Sequence, residues 1–308
     1  MPDAAEVKNN VAVISADTAT PILELAYKSR SFRRLLVLKF LRHRLAVFGL
    51  TILILLSLGA IFVHAITPYD PYRINMGDRL QPPSIAHVLG TDDLGRDELA
   101  RALLGGQVSL SVGLLAMLVS LIVGVTLGSL AGYFGGRVDN VIMRFTDLMF
   151  TFPPIILAMI AVTVVGQTLV ALAVIIGIVS WMGLARLVRA SFLSLKEQDF
   201  VTAAHALGAG DARIITLHIL PNALGTIIVA ATLGVARAIL LESGLSYLGL
   251  GIQVPVPSWG SMLYIAQNQL TSATWLSMVP GLLIFAAVLS INFVGDGLRD
   301  ALDPHMNY

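Results

Sequence analysis

Six histidines, four lysines and one dense acidic cluster are the groups through which this sequence could do chemistry. The histidines (His43, His64, His87, His205, His218 and His305) are scattered. No H-E-x-x-H pair occurs, which excludes the helical zinc site of a metalloprotease. His205 and His218 lie thirteen positions apart, which is not a metal-ligand spacing. The strained G-x-S-x-G turn of serine hydrolases is absent. None of the lysines (Lys8, Lys28, Lys39 and Lys196) follows a glycine, so the phosphate-cradling G-x-x-x-x-G-K-[ST] loop occurs nowhere. If ATP drives this protein, another chain binds it. Cysteine is absent, which removes thiol nucleophiles, disulfides and thiolate metal ligands. The acidic cluster spans Leu89 to Arg101 and places Asp92, Asp93, Asp97 and Glu98 beside Arg96 and Arg101. It misses the D-x-[DN]-x-[DN]-G order of a calcium loop. Salt bridges and turn caps at the start of a helix are the expectation there. No catalytic residue, metal ligand or cofactor site is assigned to this chain.

The elements that position these groups follow from composition. Of 308 residues, 56% are hydrophobic and 13% charged, with mean hydropathy +0.82. Soluble domains carry about 25% charged residues. An ordinary soluble enzyme, a disordered chain and a disulfide scaffold are therefore excluded. The net charge of +1 gives no basic surface for nucleic acid. Six runs approach the ~20 apolar residues that cross a hydrocarbon core. They are Ala46–Ile66, Val108–Gly132, Val141–Val165, Thr168–Leu187, Asn222–Leu241 and Trp275–Val294. The predicted fold is all-α and polytopic, with six transmembrane helices.

Lysine and arginine near the span ends set the orientation. Residues 1–44 carry 8 basic and 4 acidic residues, whereas residues 67–107 carry 4 and 6. The first end is expected on the cytoplasmic side and the acidic segment outside. Arg137 and Arg144, and later Arg186, Arg189, Lys196 and Arg213, fall inside. Residues 243–274 hold no Lys or Arg and fall outside. Both termini are then cytoplasmic. The first apolar run is too long and too late for a cleaved signal. Residues 1–21 are expected to be disordered. Residues 22–44 read as a basic helix at the membrane interface, or as a simple basic flank. Three units result: the arm 1–44, the first span with its external loop 45–107, and a five-helix core 108–308.

Within the spans, a few residues stand out. Arg144 and Asp147 sit three apart and are expected to pair on one helix face. Arg237 lies fifteen residues into the fifth span, near the outer leaflet, and an intramembrane cation is a functional residue by default. It is expected to face a polar cavity, with Asp147 a second pathway candidate. Pro153-Pro154 predicts a kink in the third span. Gly113, Gly124, Gly128 and Gly132 predict close helix packing. Trp259 and Trp275 are expected as interface anchors.

The segment from Leu195 to Pro221 is too long for a turn. Asp199 is expected to cap a short helix, Gly208 to end it in the left-handed conformation, and Asp211 to cap a second. Pro221 suits the first turn of the fifth span. The short helix carries Ala203, Ala204, Ala206 and Gly208, small residues that let a partner approach closely.

Ala203-Ala204, Gly208 and then Leu220-Pro221 resemble the EAA loop of membrane subunits of binding-protein-dependent ABC importers. Thr202 stands where that family usually has Glu, and His218 where it usually has Ile. Further blocks resemble one branch, the C-type permease subunits of dipeptide and oligopeptide importers. They are His87-Val-Leu-Gly-Thr-Asp-Asp-Leu-Gly-Arg-Asp97, Ala131-Gly-Tyr-Phe-Gly-Gly-Arg-Val-Asp139, Tyr247-Leu-Gly-Leu-Gly-Ile-Gln253, Pro257-Ser-Trp-Gly-Ser-Met262 and Gly295-Asp-Gly-Leu-Arg-Asp-Ala-Leu-Asp-Pro304. The resemblance implies a type I importer permease in a bacterial inner membrane. It implies ATPase coupling through Ala203, Ala204, Gly208, Leu220 and Pro221. It also implies a second homologous permease, two ATP-binding subunits that use ATP and Mg, and an external substrate-binding protein. Asp92, Asp93, Arg96 and Asp97 are then either structural or a docking face for that external protein. A stand-alone secondary transporter or channel is the alternative reading, and an intramembrane enzyme the third. The lack of an inverted repeat and the scarcity of buried ion-coupling carboxylates argue against the former.

Overall fold

A computed structural model describes residues 32–302. The disorder expected for residues 1–21 and most of the basic arm lie outside them. The described elements are helices: α1 (Phe32–Arg42), α2 (Arg44–Ile61), α3 (Val63–Ile66), α4 (Glu98–Phe134), α5 (Gly136–Phe150), α6 (Pro154–Val165), α7 (Leu169–Lys196), α8 (Asp199–Ala206), α9 (Asp211–Arg213), α10 (Leu220–Tyr247), α11 (Trp259–Ala266) and α12 (Trp275–Leu302). A π-helical stretch, Ile214–Ile219, joins α9 to α10, so one helical rod runs from Asp211 to Tyr247.

Five rods are long and apolar enough to cross a membrane: α2, α4, α7, Asp211–Tyr247 and α12. At 1.5 Å per residue, the 37-residue α4 is about 55 Å long. It therefore overshoots a hydrocarbon core of about 30 Å. The third expected span is corrected. It is not one kinked helix but two, α5 and α6, bent by 88° at the break. Pro153 and Pro154 have no N–H to continue the ladder, and each disfavours helical geometry in the residue before it. The first helix stops at Phe150 and the second restarts with Pro154 in its first turn. Six spans result only when this pair counts as one.

Glycines decide how the rods meet. A Cβ on Gly128 of α4 would lie 2.5 Å from the carbonyl oxygen of Ala185 in α7, and one on Gly132 would lie 2.8 Å from that of Arg189. Higher in the same seam, a Cβ on Gly177 of α7 would lie 2.6 Å from the carbonyl of Ala116. The paired positions rise together along both helices, so α4 and α7 run parallel. The chain leaves the end of α4 and must return to the opposite end before α7 begins. The bent α5–α6 pair is what returns it. Gly113 meets Ile239 of α10, and Gly49 of α2 meets the Ser290 carbonyl of α12. These contacts suit a medium where helices associate through close packing rather than hydrophobic burial. The outer faces carry exposed Leu55, Ile61, Leu118, Ile122 and Phe285, as hydrocarbon allows.

The seam makes a testable distinction. Gly128→Ala forces a methyl against backbone and should lower the thermal unfolding midpoint in detergent, an overpacking cost of about 1–3 kcal/mol. Gly183→Ala on the same pair of helices meets nothing within 4 Å. It should leave the midpoint unchanged or raise it, since Ala favours helix by up to about 1 kcal/mol. Equal effects of the two would contradict the seam.

Candidate functional site

The segment between α3 and α4 folds around one buried carboxylate. Asp92 accepts from the backbone N–H groups of Leu94 and Arg96 at 2.9 Å each. Its other oxygen takes Arg96 Nε at 2.6 Å and Arg101 Nε at 3.3 Å. Gly95 holds the turn at φ +70°, where a Cβ would collide with the Asn75 carbonyl. Asp97 caps α4 through Ala100 N at 2.8 Å, and its second oxygen lies 2.9 Å from His87 Nδ1. His87 also lies 3.9 Å from Asp78 and stacks on Tyr69. The expected ion pairs and helix cap are therefore present. Asp93 is the outlier, over a third exposed and 3.8 Å from Arg96. Glu98 is buried at the first position of α4, with Oε1 unpartnered among the described residues. Among those residues, no cluster of three or more His, Asp or Glu side chains is arranged to hold a metal.

The loop after α7 is a platform. Two expected caps are corrected. Gln198 and Gly210 occupy the cap positions of α8 and α9, and neither Asp199 nor Asp211 caps with its side chain. Asp211 instead accepts the Tyr133 hydroxyl at 2.7 Å. Tyr133 ends α4, and its carbonyl accepts Lys196 Nζ at 2.7 Å from the end of α7. One tyrosine thus ties the loop to both seam helices. Gly208 adopts φ +80°, and Ala209 N–H closes the end of α8 onto the Ala204 carbonyl at 3.0 Å. The small residues do not share one face. Ala204 is buried against the core, whereas Ala203, Ala206 and Leu207 are exposed, Leu207 at 89%. Leu220 and Pro221 lie at the start of α10, as expected for the proline. The π turn before them lets Leu220 N–H reach the Ile215 carbonyl.

Other expectations change. Asp147 does not pair with Arg144. It accepts Arg186 Nη2 of α7 at 2.6 Å, and Arg186 also sits 4.2 Å over the Phe150 ring. Arg189 forks onto Asp139 at 2.5 and 2.6 Å. Both pairs fasten α5 to α7, because antiparallel packing brings those positions closer than residues within α5. Trp259 is not an interface anchor: it is 1% exposed, and its indole N–H donates to the Ala102 carbonyl at 2.9 Å. Trp275 is half-buried and donates to the Thr91 carbonyl at 3.3 Å.

Arg237 lines a cavity of about 510 Å³ between α4, α7 and α10, near the α5–α6 break. Asp147 does not line it. Glu242, one turn further along α10, is fully buried and surrounded by hydroxyls. Ser246 Oγ donates to it at 2.7 Å and Ser109 Oγ at 3.1 Å. Ser109 also accepts Trp259 N–H at 3.2 Å. This carboxyl thereby ties α10, α4 and α11 together. The sequence reading missed the serine cage and the Tyr133 tie. Glu242 in an apolar run was a usable signal, whereas nothing local marks Tyr133.

Asp92→Ala would strand two buried guanidinium groups, at a cost of about 3–5 kcal/mol. Asp93→Ala removes a carboxylate that meets Arg96 only at 3.8 Å and without a hydrogen bond, a loss of under about 1 kcal/mol. Thermal midpoints of the purified variants should separate accordingly. Equal losses would contradict the assignment of Asp92 as the loop's centre.

Comparison with known proteins agrees with this architecture. Residues 124–308 match the family model of the binding-protein-dependent transport system inner membrane component. Residues 31–83 match the N-terminal transmembrane domain of oligopeptide transport permease C. The chain is 45% identical to the dipeptide transport system permease protein DppC of Alkalihalophilus pseudofirmus, over 86% of this chain and 87% of that one. It is 38% identical to the oligopeptide transport system permease protein OppC of Bacillus subtilis, over 97% and 98%. It is 42% identical to the glutathione transport system permease protein GsiD of Pectobacterium atrosepticum, over 87% and 89%. Its fold is similar to a chain of the MetNI methionine ABC transporter solved in inward-facing conformations, with TM-score 0.54 and 21% identity over 66% of this chain and 96% of that one. The chain belongs to the binding-protein-dependent transport system inner membrane components, in the branch of the C-type dipeptide and oligopeptide permeases.

Proposed function

We propose that this chain forms one half of the membrane pore of an ATP-driven importer that carries di- or oligopeptides inward. A second, homologous permease supplies the other half. Two ATP-binding subunits hydrolyse ATP with Mg on the cytoplasmic side, and an external binding protein delivers the cargo. This chain holds no cofactor of its own in that scheme, and both of its termini face the cytoplasm.

One observation carries the reading. Helix α8 stands exposed at the end of the seam, closed by left-handed Gly208, with Tyr133 of α4 lying 3.5 Å from its His205 and bonded to Asp211 of the following α9, while Lys196 of α7 holds the Tyr133 carbonyl. A helix presented and tethered in this way can take a push from an ATPase and pass it to the two rods that line the cavity. Ala203, Ala206, Leu207 and Gly208 form the contact, with Ala204, Leu220 and Pro221 packing or orienting it from behind. Arg237 faces the pathway. Asp147 serves the α5–α7 tie rather than the pathway. Asp92, Arg96 and Asp97 shape the loop that meets the binding protein, and Asp93 is partly exposed on it. The peptide assignment leans on the names of the relatives. Mechanistically, the gate is a two-state bundle biased from its two ends.

The complex purified from its host membrane should contain two ATPase chains or domains and a second permease. In vesicles it should import dipeptide only with ATP and the binding protein. Import by this chain alone along an ion gradient would overturn the proposal. Gly208→Val places a β-branched residue at φ +80° and should leave ATP hydrolysis running with little import, whereas Gly208→Asn tolerates that conformation and should keep most coupling. Normal coupling in Gly208→Val would remove α8 from the contact.

A further inference from the structure

We propose that Arg237 and Ser120 form an anion-recognition point in the cavity, and that it receives the carboxylate of a peptide in transit. This rests on the cavity being the pathway.

Three observations converge. First, Arg237 is the one charged side chain lining the cavity, and no carboxylate pairs with it among the described residues. The nearest acid on its own helix, Glu242, is occupied by serine hydroxyls. Every other cation described above on the seam helices has a partner: Arg101, Arg186, Arg189 and Lys196. Second, Ser120 lines the same cavity, is 1% exposed, and its Oγ has no hydrogen-bond partner. Other hydroxyls in the spans find partners, several by bonding back to their own helix. Thr126 donates to the Ile122 carbonyl at 2.6 Å, Ser191 to that of Leu187 at 3.1 Å, and Thr232 to that of Ile228 at 3.0 Å. A buried hydroxyl without a partner is costly, and a ligand that accepts its hydrogen bond removes that cost. Third, the remaining wall is mostly apolar, including Met117 and Phe150, with Ser180 at its edge. Arg237 is exposed where it lines that cavity, and low-dielectric walls focus the field of a lone guanidinium on an arriving anion.

The donors define the ligand chemistry. A guanidinium presents a planar fork that matches a carboxylate, and a serine O–H adds a third donor. The guanidinium offers no acceptor and repels an ammonium. Free peptides of any sequence share one feature that fits, the C-terminal carboxylate. A single recognition point of this kind would accept side chains broadly while orienting the peptide. A cavity of about 510 Å³ also lies within the size range of small-molecule sites.

The chain has no cysteine, so a single introduced thiol reports cleanly. Gly183 lines the cavity and its missing Cβ faces open space. In the assembled importer, Gly183→Cys is treated with anionic sulfonatoethyl methanethiosulfonate or cationic trimethylammonioethyl methanethiosulfonate. Labelling is read as a mass shift on this chain. The anionic-to-cationic rate ratio should fall about tenfold when Arg237→Gln is added, and stay near its starting value with Arg237→Lys. Dialanine should slow labelling more than dialanine amide does, and this difference should shrink in both Arg237→Gln and Ser120→Ala. If neither reagent reaches the thiol, or labelling leaves import intact, the pathway reading fails and takes this inference with it. If labelling blocks import but the rate ratio ignores Arg237, or acid and amide protect equally, only the anion-recognition point is overturned. Should Arg237→Gln fail to assemble, the acid-against-amide comparison in the Gly183→Cys background and in Ser120→Ala still decides.

Discussion

Two helices running side by side in the same direction, held at backbone contact by glycine, set what the rest of this molecule can do. Hydrocarbon offers helices no hydrophobic reward for meeting, so α4 and α7 depend on packing closeness. Gly128 and Gly132 on one rod and Gly177 on the other remove the side chains that would hold the backbones apart. The parallel direction forces the chain to return between them, and the bent α5–α6 pair is that return. The break at Pro153-Pro154 then opens beside the cavity, whose wall includes Phe150 and Pro154.

The ends of the seam carry the polar work. At one end, Tyr133 and Lys196 hold the loop, Tyr133 through Asp211 and beside His205 of the loop helix. At the other, the Asp92 cluster and the Glu242 serine cage hold the connecting segments to α4 and α10. Most of these groups are satisfied locally, as burial demands, with Asp93 Oδ1 and Glu98 Oε1 the exceptions in the Asp92 cluster. Arg237 and Ser120 break that pattern midway along the rods. Unsatisfied polarity facing a cavity leaves donors free for an entering ligand.

Much of this was legible in the sequence because membrane insertion enforces a simple code. Long apolar runs gave the five continuous rods, and the glycine spacing on α4 gave its packing face. The left-handed end at Gly208 followed from residue type alone. Contacts between distant elements were not legible. Asp211 looked like a cap, but its carboxylate accepts the hydroxyl of Tyr133, 78 positions away in sequence, and Gly210 takes the cap position. Asp147 looked paired with Arg144, yet an antiparallel neighbour offers Arg186. Trp259 has the composition of an interface anchor, but its flat ring fills the gap left by Gly105 and Gly106 in α4. Local pattern names candidates, and tertiary geometry chooses between them.

The central claim is that the loop helix and the seam move as one body. Spin labels on Ala206→Cys in α8 and Val170→Cys in α7 would report it by double electron–electron resonance in the assembled importer. The account predicts one distance distribution, unchanged between the resting and ATP-bound complexes, that broadens when Tyr133→Phe removes the tie. A distance that shifts on ATP binding while import proceeds normally would contradict it.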